Sequence, residues 1–121
     1  MALWGNRNMI DSLIELLESF GYDVFRQGSL TENDPYPDTF ITFWNPDTPF
    51  HNFYDNEEYG QIWTVNVYVY SNDPEVTYSL IDSIRMLLKR NGWIINGAGY
   101  DVTSDEPTHT GRGLDVQYID F

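Results

Sequence analysis

Residues 61–92 place a long strand directly before a long helix, and this pairing constrains the fold more than any other part of the chain. The segment 61–70, QIWTVNVYVY, alternates with a period of two, so its odd-numbered and even-numbered side chains face opposite sides of the strand. The odd-numbered side is apolar and is predicted to be buried. It consists of Trp63, Val65, Val67 and Val69.

The helix that follows is predicted to span residues 74–91. Asp73 is a good acceptor for free backbone amides at a helix start, and Pro74 suits the first helical position. Gly92 provides the left-handed residue that commonly ends a helix. Apolar residues recur at steps of three and four, so the helix has one apolar stripe that we expect to pack on the buried side of the strand. This stripe consists of Val76, Leu80, Ile84, Leu87 and Leu88.

The length of 121 residues predicts one domain over residues 1–121, large enough to fold around a single core. Residues 1–7 are expected to be flexible. The chain has no cysteine, which is typical of a reducing compartment or a stable assembly. The sequence has no apolar run of about 20 residues and no signal peptide at its start, so we expect a soluble protein made in the cytoplasm.

Charge and aromatic content are the two unusual features of the composition. The formal charge of −13 disfavours close approach to nucleic-acid phosphates and to anionic membranes. Aromatic residues make up 17% of the chain. Tyrosine and tryptophan are frequent in protein interfaces, and an aromatic-rich core is the alternative explanation. Composition alone leaves both possibilities open.

The remaining segments complete a pattern of two helices and five strands. The first helix is predicted over residues 8–20, and the other strands over residues 22–27, 39–44, 93–95 and 114–121. Turn-forming residues separate them. The resulting order, α-β-β-β-α-β-β, predicts a two-layer α+β fold. In this fold, two helices pack on one face of a four- to five-stranded antiparallel or mixed sheet.

The other sheet face then lacks a cover, and the even-numbered side of strand 61–70 is half polar and half aromatic. Such a face fits either water or a neighbouring subunit, and we favour the subunit because tyrosine buries a large area at low entropic cost. The long aromatic segment 47–60 is predicted to be irregular, and its part from Phe50 to Tyr59 is expected to be mobile in the free protein and to become ordered on assembly. The predicted subunit interface consists of Ile62, Tyr68 and Tyr70 with Phe50, Phe53 and Tyr54.

Few residues are spaced as an active site or a metal site requires. Two acidic groups have no recognised ligand or catalytic spacing, so solvated loops are the favoured interpretation. We therefore predict no enzymatic activity, no cofactor and no metal ion. The two groups are Asp101, Asp105, Glu106 and His109, and Asp55, Glu57 and Glu58.

Six short segments, in order along residues 20–121, give the chain a resemblance to a known family. They are GSL at 28–30, YPDTF at 36–40, FWN at 43–45, FYDNE at 53–57, YSNDP at 70–74 and SDEPTHTG at 104–111. The chain resembles the small tail-completion proteins, which are similar to tail terminators, of long-tailed phages and prophages.

The resemblance implies a non-enzymatic virion protein of the head–tail junction, present in the host cytoplasm before assembly. It also implies a homo-oligomeric ring, typically a hexamer, that contacts the tail tube protein and the head connector proteins. Tail termination and the neighbouring role of head-completion adaptor both fit these segments. From outside this class, the acidic charge leaves open a DNA-mimic inhibitor of a host nucleic-acid-binding enzyme, and a small hydrolase using residues 101–109 is a weaker alternative.

Overall fold

The structure is a computed structural model and describes residues 9–26, 37–47, 61–104 and 107–120. The predicted flexible segment 1–7 and most of the aromatic segment 47–60 lie outside the described residues. The elements are, in chain order, α1 (Met9–Glu18), β1 (Asp23–Arg26), β2 (Thr39–Asp47), β3 (Gln61–Ser71), α2 (Pro74–Arg90), β4 (Ile94–Val102) and β5 (Thr110–Asp120). This order confirms the predicted α-β-β-β-α-β-β pattern.

The five strands form one mixed sheet with the order β1-β2-β3-β5-β4. β1 pairs with β2 in parallel, whereas the other neighbouring strands pair antiparallel. β3 therefore lies at the centre of the sheet, as its uninterrupted alternation predicts. Its neighbour β5 is paired with it over the whole length of both strands.

Both helices pack on one face of the sheet. Val65, Val67 and Val69 are fully buried there, which confirms the predicted side of β3. Trp63 lies on the same side, but it is only partly buried at the margin of the core. Burial removes apolar side chains from water, and this drives the two layers together. The neighbouring strands and the two helices complete the core with Ile41, Phe43, Leu114, Val116, Ile10, Leu13, Leu17, Leu80, Ile81, Ile84 and Leu88.

The start of α2 has the predicted cap. An Asp73 carboxylate oxygen accepts a hydrogen bond from the backbone N–H of Glu75 at 3.0 Å. Pro74 occupies the first helical position, where no backbone N–H is needed. Gly92 follows the helix with φ of +93°, a conformation that glycine adopts without strain.

The last two strands are longer than the sequence predicts. β4 continues through a bulge between Asn96 and Tyr100 instead of ending before it, and Gly97 and Gly99 have positive φ there. β5 begins at Thr110 rather than at Leu114. Glycine-rich sequence such as 96–99 predicts a turn after strand 93–95, but pairing with β5 stabilises an irregular strand that local propensity disfavours.

Candidate interaction surface

The sheet face opposite the helices carries a large group of aromatic side chains, and we call it the aromatic face. Strand register defines its members, because side chains of directly paired residues lie on the same side of a sheet. Among the strand residues whose side chains the structure describes, it consists of Asp23, Phe25, Phe40, Thr42, Trp44, Ile62, Thr64, Asn66, Tyr68, Tyr70, Ile94, Asn96, Tyr100, Val102, Gly111, Gly113, Asp115, Gln117 and Ile119.

Aromatic rings pack against one another near one end of this face. Phe40 and Tyr70 are stacked with ring centroids 5.3 Å apart, and Tyr68 lies 6.4 Å from Tyr70. Phe25 contacts Phe40 edge to face at 6.1 Å. Such offset and edge contacts are the favourable geometries for aromatic pairs. Two of the predicted interface residues, Tyr68 and Tyr70, therefore belong to one cluster, and Phe40 is a member that the sequence analysis missed.

Two glycines in β5 make room for these rings. A Cβ atom on Gly111 would lie 2.8 Å from Cε1 of Tyr70. One on Gly113 would lie 2.8 Å from Cε2 of Tyr100 and 2.9 Å from Cδ1 of Tyr68. Real Cβ atoms do not approach other heavy atoms this closely. The tyrosine rings thus occupy the space that side chains at 111 and 113 would need, so packing and not a turn requires glycine at both positions.

A small polar group borders the ring cluster. The Tyr100 hydroxyl donates to Asp115 Oδ1 at 2.6 Å, and Asn66 Nδ2 donates to the same oxygen at 2.5 Å. Partial burial, together with the hydrogen bond to Asp115, raises the pKa of Tyr100 well above its ordinary value. The carboxylate at the centre of the aromatic face is thus held by two neutral donors.

The most exposed apolar side chains of the face are not the predicted ones. Trp44 is 47% exposed, Ile94 45% and Tyr100 37%. Tyr68, Tyr70 and Ile62 are half-buried, and Ile62 lies near the opposite end of β3 from the tyrosines. Phe50, Phe53 and Tyr54, the other predicted interface residues, lie outside the described residues.

The aromatic face carries little charge for a chain of formal charge −13. Among the strand residues whose side chains the structure describes, its carboxylates are Asp23 and Asp115, and it has no lysine or arginine. Asp47, whose backbone pairs with Thr64 of this face, lies outside that set. Arg26 and Arg112 belong to the helix side, where Arg26 lies over the Phe43 ring and Arg112 over the Tyr78 ring. A second acidic chain meets less repulsion here than at a carboxylate-rich surface.

A hydrogen-bonded junction at one end of the sheet joins residues that are distant in the sequence. Backbone N–H of Asn72 donates to the Asp38 carbonyl at 2.9 Å. The buried Ser71 hydroxyl lies 2.8 Å from the Thr39 hydroxyl and accepts from the backbone N–H of Asp73 at 3.1 Å. Thr110 contributes a third segment, because its hydroxyl donates to the Ser71 carbonyl at 3.3 Å.

His109 closes this junction. Its Nε2 lies 2.8 Å from the Pro37 carbonyl oxygen and its Nδ1 lies 3.0 Å from the Thr108 hydroxyl. Because a carbonyl oxygen only accepts, Nε2 donates, and in the neutral ring Nδ1 accepts from Thr108. Residues 37–39, 71–73 and 108–110, which belong to three segments of the sequence resemblance, thus meet in space. Their shared role here is to fix the start of α2 against the sheet.

The acidic loops considered as sites do not form one where the structure describes them. The Asp101 carboxylate accepts from the Tyr78 hydroxyl at 2.8 Å and from Arg112 at 2.8 Å, while His109 has the different partners described above. The hydrogen bond from Tyr78 lowers the pKa of Asp101 most, and the hydrogen bond from Arg112 lowers it further. The described residues contain no cluster of three or more potential metal ligands. The other candidate acids, Asp55, Glu57, Glu58, Asp105 and Glu106, lie outside the described residues.

Neither the known protein families nor the curated proteins contain a match to this chain. The resemblance to tail-completion proteins therefore rests on the six sequence segments and their order. Neither of the two described helices is long and apolar enough to cross a membrane.

Proposed function

We propose that this chain is a non-enzymatic structural protein of the head–tail junction of a long-tailed phage or prophage. It completes the tail tube as a ring of identical subunits, six in the arrangement that the resemblance implies. Its partners are then the tail tube protein and the head connector proteins. It resides in the host cytoplasm before assembly and in the virion afterwards.

The observation that carries this proposal is the aromatic face. Among the described residues both helices pack on the other side of the sheet, and this face combines exposed Trp44 and Tyr100 with few charged side chains. The described strands give it an area on the order of 700 Å², using about 3.3 Å per residue and about 4.8 Å between strands. A specific interface buries about 800 Å² on each partner. The face is therefore of the size that a subunit contact needs.

The net charge also fits a ring through which DNA passes. An acidic lining repels phosphates, so DNA moves through the channel without binding to it. The same charge opposes assembly of free subunits, and a tail end that concentrates them offsets this opposition. A tail-completion role therefore explains both the repulsion of DNA by the channel and the weak association of free subunits.

Deletion of the gene tests the function directly. We expect filled heads separated from tails, visible by electron microscopy, and a loss of infectious particles that the gene supplied in trans restores. Tails of abnormal length indicate termination, whereas tails of normal length that fail to join heads indicate the head-completion adaptor role. Joined, infectious particles in the absence of the gene would exclude both roles.

Substitutions on the aromatic face test its part in that role. The double variant Tyr68→Ala with Tyr70→Ala is expected to give the same separated heads and tails. These two rings also pack on Phe40 and on the β5 glycines, so the variant needs a melting control. Trp44→Ala is the cleaner probe because Trp44 is about half exposed. Normal virions from a folded Trp44→Ala variant and from the double variant would remove this face from the assembly.

One observation favours a DNA mimic as the second candidate. The exposed face of α1 has carboxylates at helical spacing, at Asp11, Glu15 and Glu18. A mimic places carboxylates at spacings resembling those of phosphates, and one helical row of three is a short example. A pull-down from infected cells with this chain as bait separates the two functions. A nucleic-acid-binding enzyme in the bound fraction indicates a DNA mimic, whereas tail components indicate a tail-completion protein.

A further inference from the structure

A closed ring needs two different surfaces on each subunit, because neighbouring copies meet head to tail. If the chain forms the proposed ring, the aromatic face is one of these two surfaces. The second must complement a surface with exposed rings and a carboxylate, and it must carry positive charge to offset the acidity of the chain. The helix layer on the opposite side of the molecule is where such a surface is found.

The last turns of α2 contain an exposed apolar side chain beside two cations. Met86 is 55% exposed, the largest exposure among the large hydrophobic residues that the structure describes. Lys89 and Arg90 follow it by three and four residues, so all three lie on one side of the helix. This side points away from the core, whose α2 members include Leu80, Ile84 and Leu88.

Lys89 and Arg90 are also the cations of the described chain that are free to meet a partner. Arg85 pairs with Asp82 at 2.6 Å, and Arg112 pairs with Asp101 at 2.8 Å. Within residues 9–26, 37–47, 61–104 and 107–120, neither Lys89 nor Arg90 has a carboxylate within ion-pair distance. The chain has only six lysines and arginines, and in the part that the structure describes the α2 end is the main positive surface.

The aromatic face has the groups that such an end recognises. Exposed indole and phenol rings attract cations over their faces, and Trp44 and Tyr100 are such rings. A thioether packs well on aromatic rings, which fits Met86. Asp115 adds a partly buried carboxylate between Tyr100 and Asn66. The two surfaces therefore match in apolar character, and Asp115 offers one negative charge to the cations.

We propose that Met86, Lys89 and Arg90 of one copy bind the Trp44, Tyr100 and Asp115 region of the aromatic face on the next copy. The inference rests on the proposed function as a homo-oligomeric ring and names the contact between its subunits. The partner is a second copy of this chain.

Disulfide trapping tests the contact, and the absence of native cysteine makes the chain suited to it. One variant carries Ser83→Cys, next to Met86 on α2, and a second carries Asn96→Cys, next to Asp115 on the aromatic face. Both positions are exposed. Mixing the two variants under mild oxidation is expected to give the mixed dimer in clear excess over either homodimer.

A third variant supplies the matched control. Ser79→Cys lies in a groove whose lining includes the carboxylates of Asp73, Glu75 and Asp82 together with Arg112, and this groove is a competing site for Lys89 and Arg90. Preferred trapping of Ser83→Cys with Ser79→Cys would overturn the proposal in favour of that groove. Preferred Ser83→Cys homodimers would overturn it in favour of a two-fold contact. Absence of any trapped dimer at the highest soluble concentration would also overturn it.

Charge reversal checks the chemistry of the contact. Lys89→Glu with Arg90→Glu, placed in the Ser83→Cys chain, is expected to lower the yield of mixed dimer about tenfold or more. Lys89→Arg with Arg90→Lys keeps the charge and should keep the yield, and melting temperatures of both show that the helix still folds. An unchanged yield after reversal would overturn the proposal. The trapping result is independent of the deletion phenotype, so the failure of one is distinguishable from the failure of the other.

Discussion

Gly113 shows how a single residue without a side chain supports the aromatic face. Tyr100 and Tyr68 occupy the space that its Cβ would need. We expect Gly113→Ala to lower the free energy of unfolding by about 1–3 kcal/mol, because an added methyl group forces both rings to move. Urea denaturation measures this cost.

The matched control for Gly113→Ala removes the rings first. In a chain that already carries Tyr68→Ala and Tyr100→Ala, the same glycine substitution should cost little or should stabilise, because alanine is less flexible than glycine in the unfolded state. Equal costs in the two backgrounds would show that the rings are not the reason for glycine at this position.

Tyr100 gives the aromatic face a dependence on alkaline pH. Its folded pKa is raised, so the stability it contributes is fully present below the ordinary tyrosine value of about 10. That stability is lost as the pH rises from there through the folded pKa, because the unfolded chain releases the proton first. We expect the free energy of unfolding to fall more steeply above about pH 10 in the wild type than in Tyr100→Phe. Denaturant titrations at several alkaline pH values measure both slopes, and identical slopes would contradict this role.

At the scale of elements, α2 depends on its cap. Asp73 binds the backbone N–H of Glu75, and Ser71 binds the backbone N–H of Asp73, so the helix start is held by two side chains. Asp73→Ala is expected to destabilise the protein by about 1 kcal/mol. Asp73→Ser keeps an acceptor and should retain most of the stability. Thermal melting of both variants measures the two changes in stability. Equal losses of stability in the two variants would show that the side-chain acceptor is unimportant.

The elements also show where sequence patterns succeed and where they stop. The alternation in β3 and the three- and four-residue steps in α2 arise from burial, so they predicted both elements and the buried side of β3. In α2, Leu80, Ile84 and Leu88 are buried as predicted. Val76 and Leu87 are only partly buried, and Thr77 and Ile81 are buried as well. The length of β4 was wrong because Gly97 and Gly99 have no pattern that distinguishes a bulge from a turn. Pairing with β5 keeps the chain extended there, and that pairing joins residues distant in sequence.

At the scale of the whole molecule, net charge should control self-association. A chain of formal charge −13 is expected to be largely monomeric at low salt, because identical subunits repel one another. Salt screens this repulsion beyond about 10 Å at 0.1 M, while contacts at close range are screened less. Association should therefore increase with salt, and sedimentation measures it at constant protein concentration.

Lys89→Glu with Arg90→Glu is the control for the salt experiment. This variant adds negative charge and removes the positive end of α2, so it should remain monomeric at every salt concentration. A wild-type ring that is already stable at low salt and micromolar concentration would contradict the view that repulsion holds the subunits apart.

The sequence by itself determined the order of the elements, the buried side of β3, the cap of α2 and the two-layer class of fold. These follow from local periodicity and local hydrogen bonding, which neighbouring residues encode. The tertiary structure decided the parallel pairing of β1 with β2, the place of Gly111 and Gly113 beneath tyrosine rings, and the junction that His109 closes against Pro37. These features depend on contacts between residues that are distant in the chain. A local sequence pattern does not indicate which distant segment packs beside it.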